Sequence, residues 1–287
     1  MNFQEHREII NKLKRQLTTP PSYDMLSVLL SELQYTMEDN PELSVADRDF
    51  VITYSGYIKK WATTMYVETM EQQWDDLYWR TMLFEAPYLF ESYLIYMEKD
   101  RNPEKRFYLP RRKSLKVVVD DLQDLEDGKL DFYGLSMPSR VVKSTVCIFY
   151  LSWIAGKRPN SHSAMGGHSG KLAKGFYGEL MNLINTREYK FSEIFPDSPL
   201  QKTSAEDFEI NLDEPDRFAT ITCRGIDGTW TGAVDVSSDG YLYVDDLIRD
   251  REHSLNPVRM ENTYQESLNK MVDRKNDGAR ELMVGTR

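Results

Sequence analysis

Lys143, Ser144 and Thr145 stand between two apolar segments, and that order of residue types can do phosphate chemistry. Residues 130–135 read as a short strand, and residues 146–155 read as a buried helix. A tight loop between such a strand and helix wraps backbone N–H groups around phosphate oxygens, and the helix N-terminus adds partial positive charge. A lysine at the helix start reaches the β- and γ-phosphates of a nucleotide, and the hydroxyl that follows sits on Mg²⁺. Here these are Lys143 and Ser144, with Ser139, Arg140, Val141, Val142 and Thr145 completing the loop. The strict pattern has glycine where this chain has Met137 and Val142. Taken alone, the stretch also reads as an ordinary strand–helix turn with an exposed lysine.

A second stretch sharpens the choice. Residues 240–246 form an apolar run that ends in Asp245 and Asp246. Carboxylates at the C-terminal end of a strand sit at the ligand edge of an open α/β sheet. Paired with a phosphate loop, the first acid can hold Mg²⁺ through its water shell, and the second can orient or deprotonate an attacking water. Gly225, Gly228 and Gly232 surround Trp230 before this strand and suggest a loop near a site, although a flexible connector has the same composition. The two cysteines, Cys147 and Cys223, lie far apart in apolar surroundings and read as buried thiols. The four histidines do not pair with cysteines at zinc spacing.

The elements that must carry these groups follow from periodicity. Residues 1–105 read as an N-terminal helical region. Ile9, Ile10, Leu13 and Leu17 share one helix face, which Pro20 and Pro21 terminate. Leu26, Leu29, Leu30 and Leu33 share the next. Ser44 and Asp47 read as a capping box ahead of Phe50, Tyr54, Tyr57, Ile58 and Trp61, and an aromatic segment from Trp74 to Met97 bends near Pro87. A charged connector at 100–106 precedes a second domain, residues 106–287. There Leu115, Val118, Val119, Leu122 and Leu125 make an amphipathic helix ahead of the central strand. Residues 161–168 predict a strand ending in a Gly-Gly loop, with Ser169 capping a helix through Leu172, Phe176, Leu180, Leu183 and Ile184. Residues 208–212 and 218–223 alternate as strands do, joined by a turn at 213–216. Residues 250–278 read as a charged helix with Leu255, Met260, Tyr264, Leu268 and Met271 on its apolar face. A last strand begins at Glu281, and the chain stops directly after it, which reads as a truncation.

The formal net charge of −10 argues against a broad basic surface that coats DNA, though not against a few loops that touch it. No apolar run approaches membrane-spanning length and no signal-peptide pattern opens the chain, so a soluble, intracellular protein is expected.

Three pieces stand in order: Pro138-Ser-Arg-Val-Val-Lys-Ser-Thr145, Tyr241-Leu-Tyr-Val-Asp-Asp246 and Val284-Gly-Thr-Arg287. Together with residues 107–112, 166–169 and 224–232, this order resembles the ATPase half of bacteriophage terminase large subunits over roughly residues 75–287. The resemblance implies an α/β P-loop NTPase core of the ASCE (RecA-like) kind, with a mainly parallel sheet flanked by helices. It implies ATP and Mg²⁺ as cofactors. Double-stranded viral DNA, the portal protein and the terminase small subunit are the implied partners, with no membrane and with a ring assembled only on the portal. The implied location is the host cell cytoplasm, transiently at the procapsid portal.

Carried over residue by residue, Lys143 and Ser144 bind phosphate and Mg²⁺. Arg140 stabilises transition-state charge or senses the γ-phosphate. Asp245 is the Walker B acid, and Asp246 takes the place of the catalytic glutamate. Thr286 falls at the motif that couples hydrolysis to DNA movement, and Arg111 and Arg112 lie on the adenine side. The chain departs from the family twice. The family's loop often reads Pro-x-Arg-x-Gly-Lys-Ser/Thr, and Val142 replaces its glycine. If that position needs φ > 0, a β-branched residue costs on the order of 1–3 kcal/mol and its methyls crowd the phosphate, so weakened binding or hydrolysis is expected. The family's nuclease domain would lie beyond Arg287, so this chain alone is not expected to cut DNA. A non-hydrolysing remnant that only binds partners is the alternative. A helicase-like P-loop ATPase fits less well, because no second lobe follows in this sequence.

Overall fold

The computed structural model describes the whole chain except residues 139–141, 214–216, 250 and 287, and describes only the backbone of Lys202, Arg251 and Thr286. The chain divides into two compact units, Met1–Tyr96 and Met97–Arg287.

The first unit is helical: α1 (Phe3–Gln16), α2 (Tyr23–Asp39), α3 (Val45–Thr69), α4 (Gln72–Glu85) and most of α5 (Phe90–Met97). Polar side chains start the first three. Asn2 and Glu5 form a reciprocal capping box, Ser22 accepts from the Met25 amide, and Ser44 accepts from the Asp47 amide. The three-four spacing of Leu26, Leu29, Leu30 and Leu33 places all four in a core with Ile10, Val51, Ile58 and Leu77. The aromatic segment near Pro87 is two helices, because proline cannot donate the amide that a continuous helix needs there. The buried Glu85 carboxylate accepts from Ser55 and Ser92 at 2.6 Å each and pairs with Lys59.

The second unit opens with a segment folded around Glu98, whose carboxylate accepts from the Phe107 and Tyr108 amides and from Arg101. It continues as α6 (Arg112–Glu126), β1 (Phe132–Met137), α7 (Lys143–Lys157), β2 (Ser163–Gly167), α8 (Gly170–Asn185) and the single turn α9 (Phe191–Ile194). Then come β3 (Lys202–Ser204), β4 (Glu209–Asn211), β5 (Ile221–Gly225), β6 (Tyr241–Asp245), α10 (Arg251–Ser254), α11 (Pro257–Lys270) and β7 (Arg280–Thr286). The strands form one seven-stranded sheet in the order β1-β7-β6-β2-β5-β4-β3. β1, β7, β6, β2 and β5 run parallel, and β3 and β4 are antiparallel at one edge. The unit is therefore α/β, with a mostly parallel sheet flanked by helices.

Burial explains the central helix. From Val146 to Gly156 every residue of α7 is buried, so the helix is apolar all round rather than on one stripe. On β6 the alternation is strict. Tyr241 and Tyr243 face α7 and α8, with ring contacts to Tyr150 at 5.3 Å and Phe176 at 5.4 Å. Leu242 and Val244 face a second cluster built on Trp230, Val236 and Met271.

Several expected boundaries differ. β1 begins at Phe132 and runs through Met137, so Ser136 and Met137 belong to the strand. Gly166 and Gly167 lie inside β2, where a Cβ at Gly166 would meet the Met271 sulfur at 2.8 Å. Trp230 is buried and donates Nε1–H to the Gly225 carbonyl at 2.9 Å, so its glycine-spaced loop closes the core. The expected helix over 250–278 is broken, because Asn256 caps a new helix that starts at Pro257. Its expected apolar face is largely outside the core: Leu255 and Tyr264 are exposed, whereas Met271 is buried. The expected turn at 213–216 falls mostly outside the described residues.

Candidate functional site

β7 sets the geometry of the site. It lies between β1 and β6, and its Val284 pairs in register with both Leu135 and Asp245. Asp245, the last residue of β6, is thus level with Leu135, two residues before the end of β1, and both strands end at one sheet edge, where open α/β sheets bind ligands. α7 starts at that edge directly after the loop from β1.

Two contacts join residues about a hundred positions apart. Ser144 Oγ donates to Asp245 Oδ2 at 2.8 Å, and Lys143 Nζ lies 3.4 Å from Asp246 Oδ1. Lys143 is 6% exposed and Asp245 is 2% exposed, so both groups are held nearly out of water. Burial pushes the Asp245 carboxyl above its ordinary range; the Ser144 hydrogen bond opposes that rise and the Asp246 charge adds to it. Asp245 Oδ1 is buried with no hydrogen bond of normal geometry, although the Tyr243 hydroxyl on the same strand face is close enough to interact with it. A buried carboxyl oxygen without a full partner, beside a serine hydroxyl, suits a hydrated divalent cation. Among the described residues, no cluster of three or more His, Cys, Asp or Glu side chains is arranged to hold a metal. A Ser–Asp pair of this kind needs phosphate oxygens and water to complete a coordination shell.

Val142 is the N-cap of α7 with φ 59° and ψ 25°, the left-handed region. It offers no side-chain oxygen to cap the helix, so the first amides of α7 are left to face the loop. The condition attached to Val142 in the sequence is met: the position does adopt positive φ. Asp246 also has positive φ, at 40°. By strand alternation its side chain belongs on the Trp230 side of the sheet, but the left-handed turn lets its carboxylate reach Lys143 on the α7 side. Two hydrogen bonds fix that turn. The Asp246 amide donates to the Val284 carbonyl, and the Asp246 carbonyl lies 2.9 Å from His168 Nδ1, just beyond the end of β2.

The remaining expected residues divide clearly. Thr145 lies in the first turn of α7. Ser139, Arg140 and Val141 lie outside the described residues, as does the side chain of Thr286, whose backbone ends β7 opposite Met137. Arg111 and Arg112 are exposed at the start of α6, and the Arg111 guanidinium donates to the Phe107 carbonyl at 3.0 Å. Sequence reasoning assigns His168 no role of its own. Its signal was its position one residue past a strand, at the edge where the two aspartates also stand.

A largely apolar cleft of about 1010 Å³ opens beside Asp246, along one face of β1 and β7 and against α11. Phe132, Gly134, Met283, Met260 and Tyr264 are among its walls. Cys147 and Cys223 are buried free thiols, and burial pushes Cys223 up to about 12. Among the described residues, no helix is long and apolar enough to cross a membrane. No family model matches the chain, and no curated protein matches it significantly in sequence.

Proposed function

We propose that the second unit binds Mg²⁺–ATP at the start of α7 and hydrolyses it, as the ATPase module of a phage terminase large subunit. The single observation that carries the reading is the convergence of Lys143 and Ser144 with Asp246 and Asp245 at the C-terminal edge of parallel strands. Lys143 neutralises phosphate charge, and the α7 amides and loop backbone surround the phosphate oxygens. Ser144 and Asp245 would hold Mg²⁺, which would supply positive charge against the β- and γ-phosphate oxygens. Asp246 orients the attacking water and accepts its proton. Coupling of that cycle to packaging of double-stranded DNA at the portal rests on the order of the three sequence motifs.

The left-handed Val142 favours a second reading within the same site, a chain that binds nucleotide but turns it over poorly. The deciding experiment measures Mg²⁺-dependent ATP hydrolysis and ATP-analogue binding for the parent, Lys143→Ala and Val142→Gly. Turnover that Lys143→Ala abolishes supports the motor. A silent parent restored by Val142→Gly supports a disabled motor. Absence of nucleotide binding in both the parent and Val142→Gly removes the proposal.

A further inference from the structure

We infer that His168 is a positioning residue for Asp246, clamping the backbone turn that delivers the water-orienting carboxylate to Lys143. The inference rests on the proposed ATPase reading for its catalytic consequence, but its structural part stands on the fold alone. Gly167 pairs with Asp245 across β2 and β6, so His168 is the next residue out, level with Asp246. A carbonyl oxygen can only accept, so the 2.9 Å contact with the Asp246 carbonyl requires the imidazole proton on Nδ1. The Asp246 amide is held from the other side by Val284 of β7. Asp246 is therefore pinned through both backbone polar groups, by β7 on one side of β6 and by the residue that follows β2 on the other. The pinning matters because positive φ is unfavourable for a residue with a Cβ. Without a partner for its carbonyl, Asp246 relaxes toward extended backbone. Its carboxylate then turns away from Lys143.

The substitutions that test this differ in one atom's chemistry. Asparagine places an amide N–H near the position of Nδ1, whereas alanine and leucine supply no donor. His168→Ala and His168→Leu are expected to lower kcat for ATP about tenfold or more with KM changed less than about threefold, a loss confined to the transition state. His168→Asn is expected to restore most of the lost kcat. Amide hydrogen exchange at Asp246 reads the clamp without nucleotide: exchange rises in the alanine and leucine variants and stays near parental in the asparagine variant. The kinetic series is run in the parent and in the Val142→Gly background. Unchanged exchange at Asp246 in His168→Ala, or an asparagine variant that behaves like alanine, overturns the clamp. A protein that binds no nucleotide while exchange responds as expected overturns the ATPase reading and with it the catalytic part, leaving the two failures distinct.

Discussion

At the residue scale, Val142 sets two effects against each other. Holding a β-branched residue at φ 59° costs about 1–3 kcal/mol, and glycine there relieves that strain. Glycine also frees the unfolded chain, which costs about 0.5–1 kcal/mol. The strain term is larger, so Val142→Gly is expected to stabilise the second unit by about 1 kcal/mol. A urea midpoint that falls on this substitution would show that position 142 is not left-handed in solution. Ser144→Ala removes the hydroxyl donor from Asp245 Oδ2, and it is expected to weaken the Mg²⁺ dependence of nucleotide binding more than binding itself. Isothermal titration with and without Mg²⁺ measures that difference, and equal losses in both conditions refute the role given to Ser144.

At the scale of elements, α7 is anchored at both ends. Its N-terminus meets the two aspartates, and its C-terminus meets Glu126 at the end of α6. Glu126 is nearly buried and accepts from Lys157 at 2.6 Å, from Arg158 at 2.8 and 3.0 Å, and from the Tyr241 hydroxyl at 2.8 Å. Burial opposes its ionisation, but the Lys157 and Arg158 charges outweigh burial and hold its carboxyl down at about 2. The folded value lies below the ordinary 4.5, so this stabilisation is complete above pH 4.5 and is lost as pH falls toward 2. Glu126→Gln is expected to cost about 3 kcal/mol near neutral pH, the low end for breaking a buried pair, because both cations keep partial access to water. The variant should also flatten the acid limb of a stability–pH curve. An acid limb as steep in Glu126→Gln as in the parent would mean that other carboxylates carry it.

At the scale of the whole molecule, each unit has its own core. Leu30 is fully buried among the leucines of α2 and the aromatic helices of the first unit. Leu30→Ala is expected to destabilise that unit by about 2–5 kcal/mol and to leave exchange protection of the β-sheet amides unchanged. Equal loss of protection in both units would show one cooperative body instead. The net charge of −10 limits what the chain does with nucleic acid. Any binding to duplex DNA is expected to involve few phosphate contacts, so the slope of log affinity against log salt should be shallow, on the order of −1 to −3. A steep slope, near that of proteins making six or more phosphate contacts, would reveal a basic track that the composition does not suggest.

Sequence by itself determined the helices of the first unit, the amphipathic α6, the buried α7 and the strand that ends in Asp245. These follow from local periodicity, caps and turn residues, which act within a few positions of chain. It also marked Lys143, Ser144, Asp245 and Asp246 as chemically suited to one another. Only the tertiary structure decided that they meet, because β7 had to enter between β1 and β6 to bring both strand ends to one sheet edge. Packing likewise decided that Gly166 and Gly167 serve close approach inside a strand and that Trp230 fills the core. The left-handed turn at Asp246 and its partner His168 were beyond local reading. Both depend on hydrogen bonds from neighbouring strands, and a backbone conformation disfavoured by its own residue persists only where the surrounding fold imposes it.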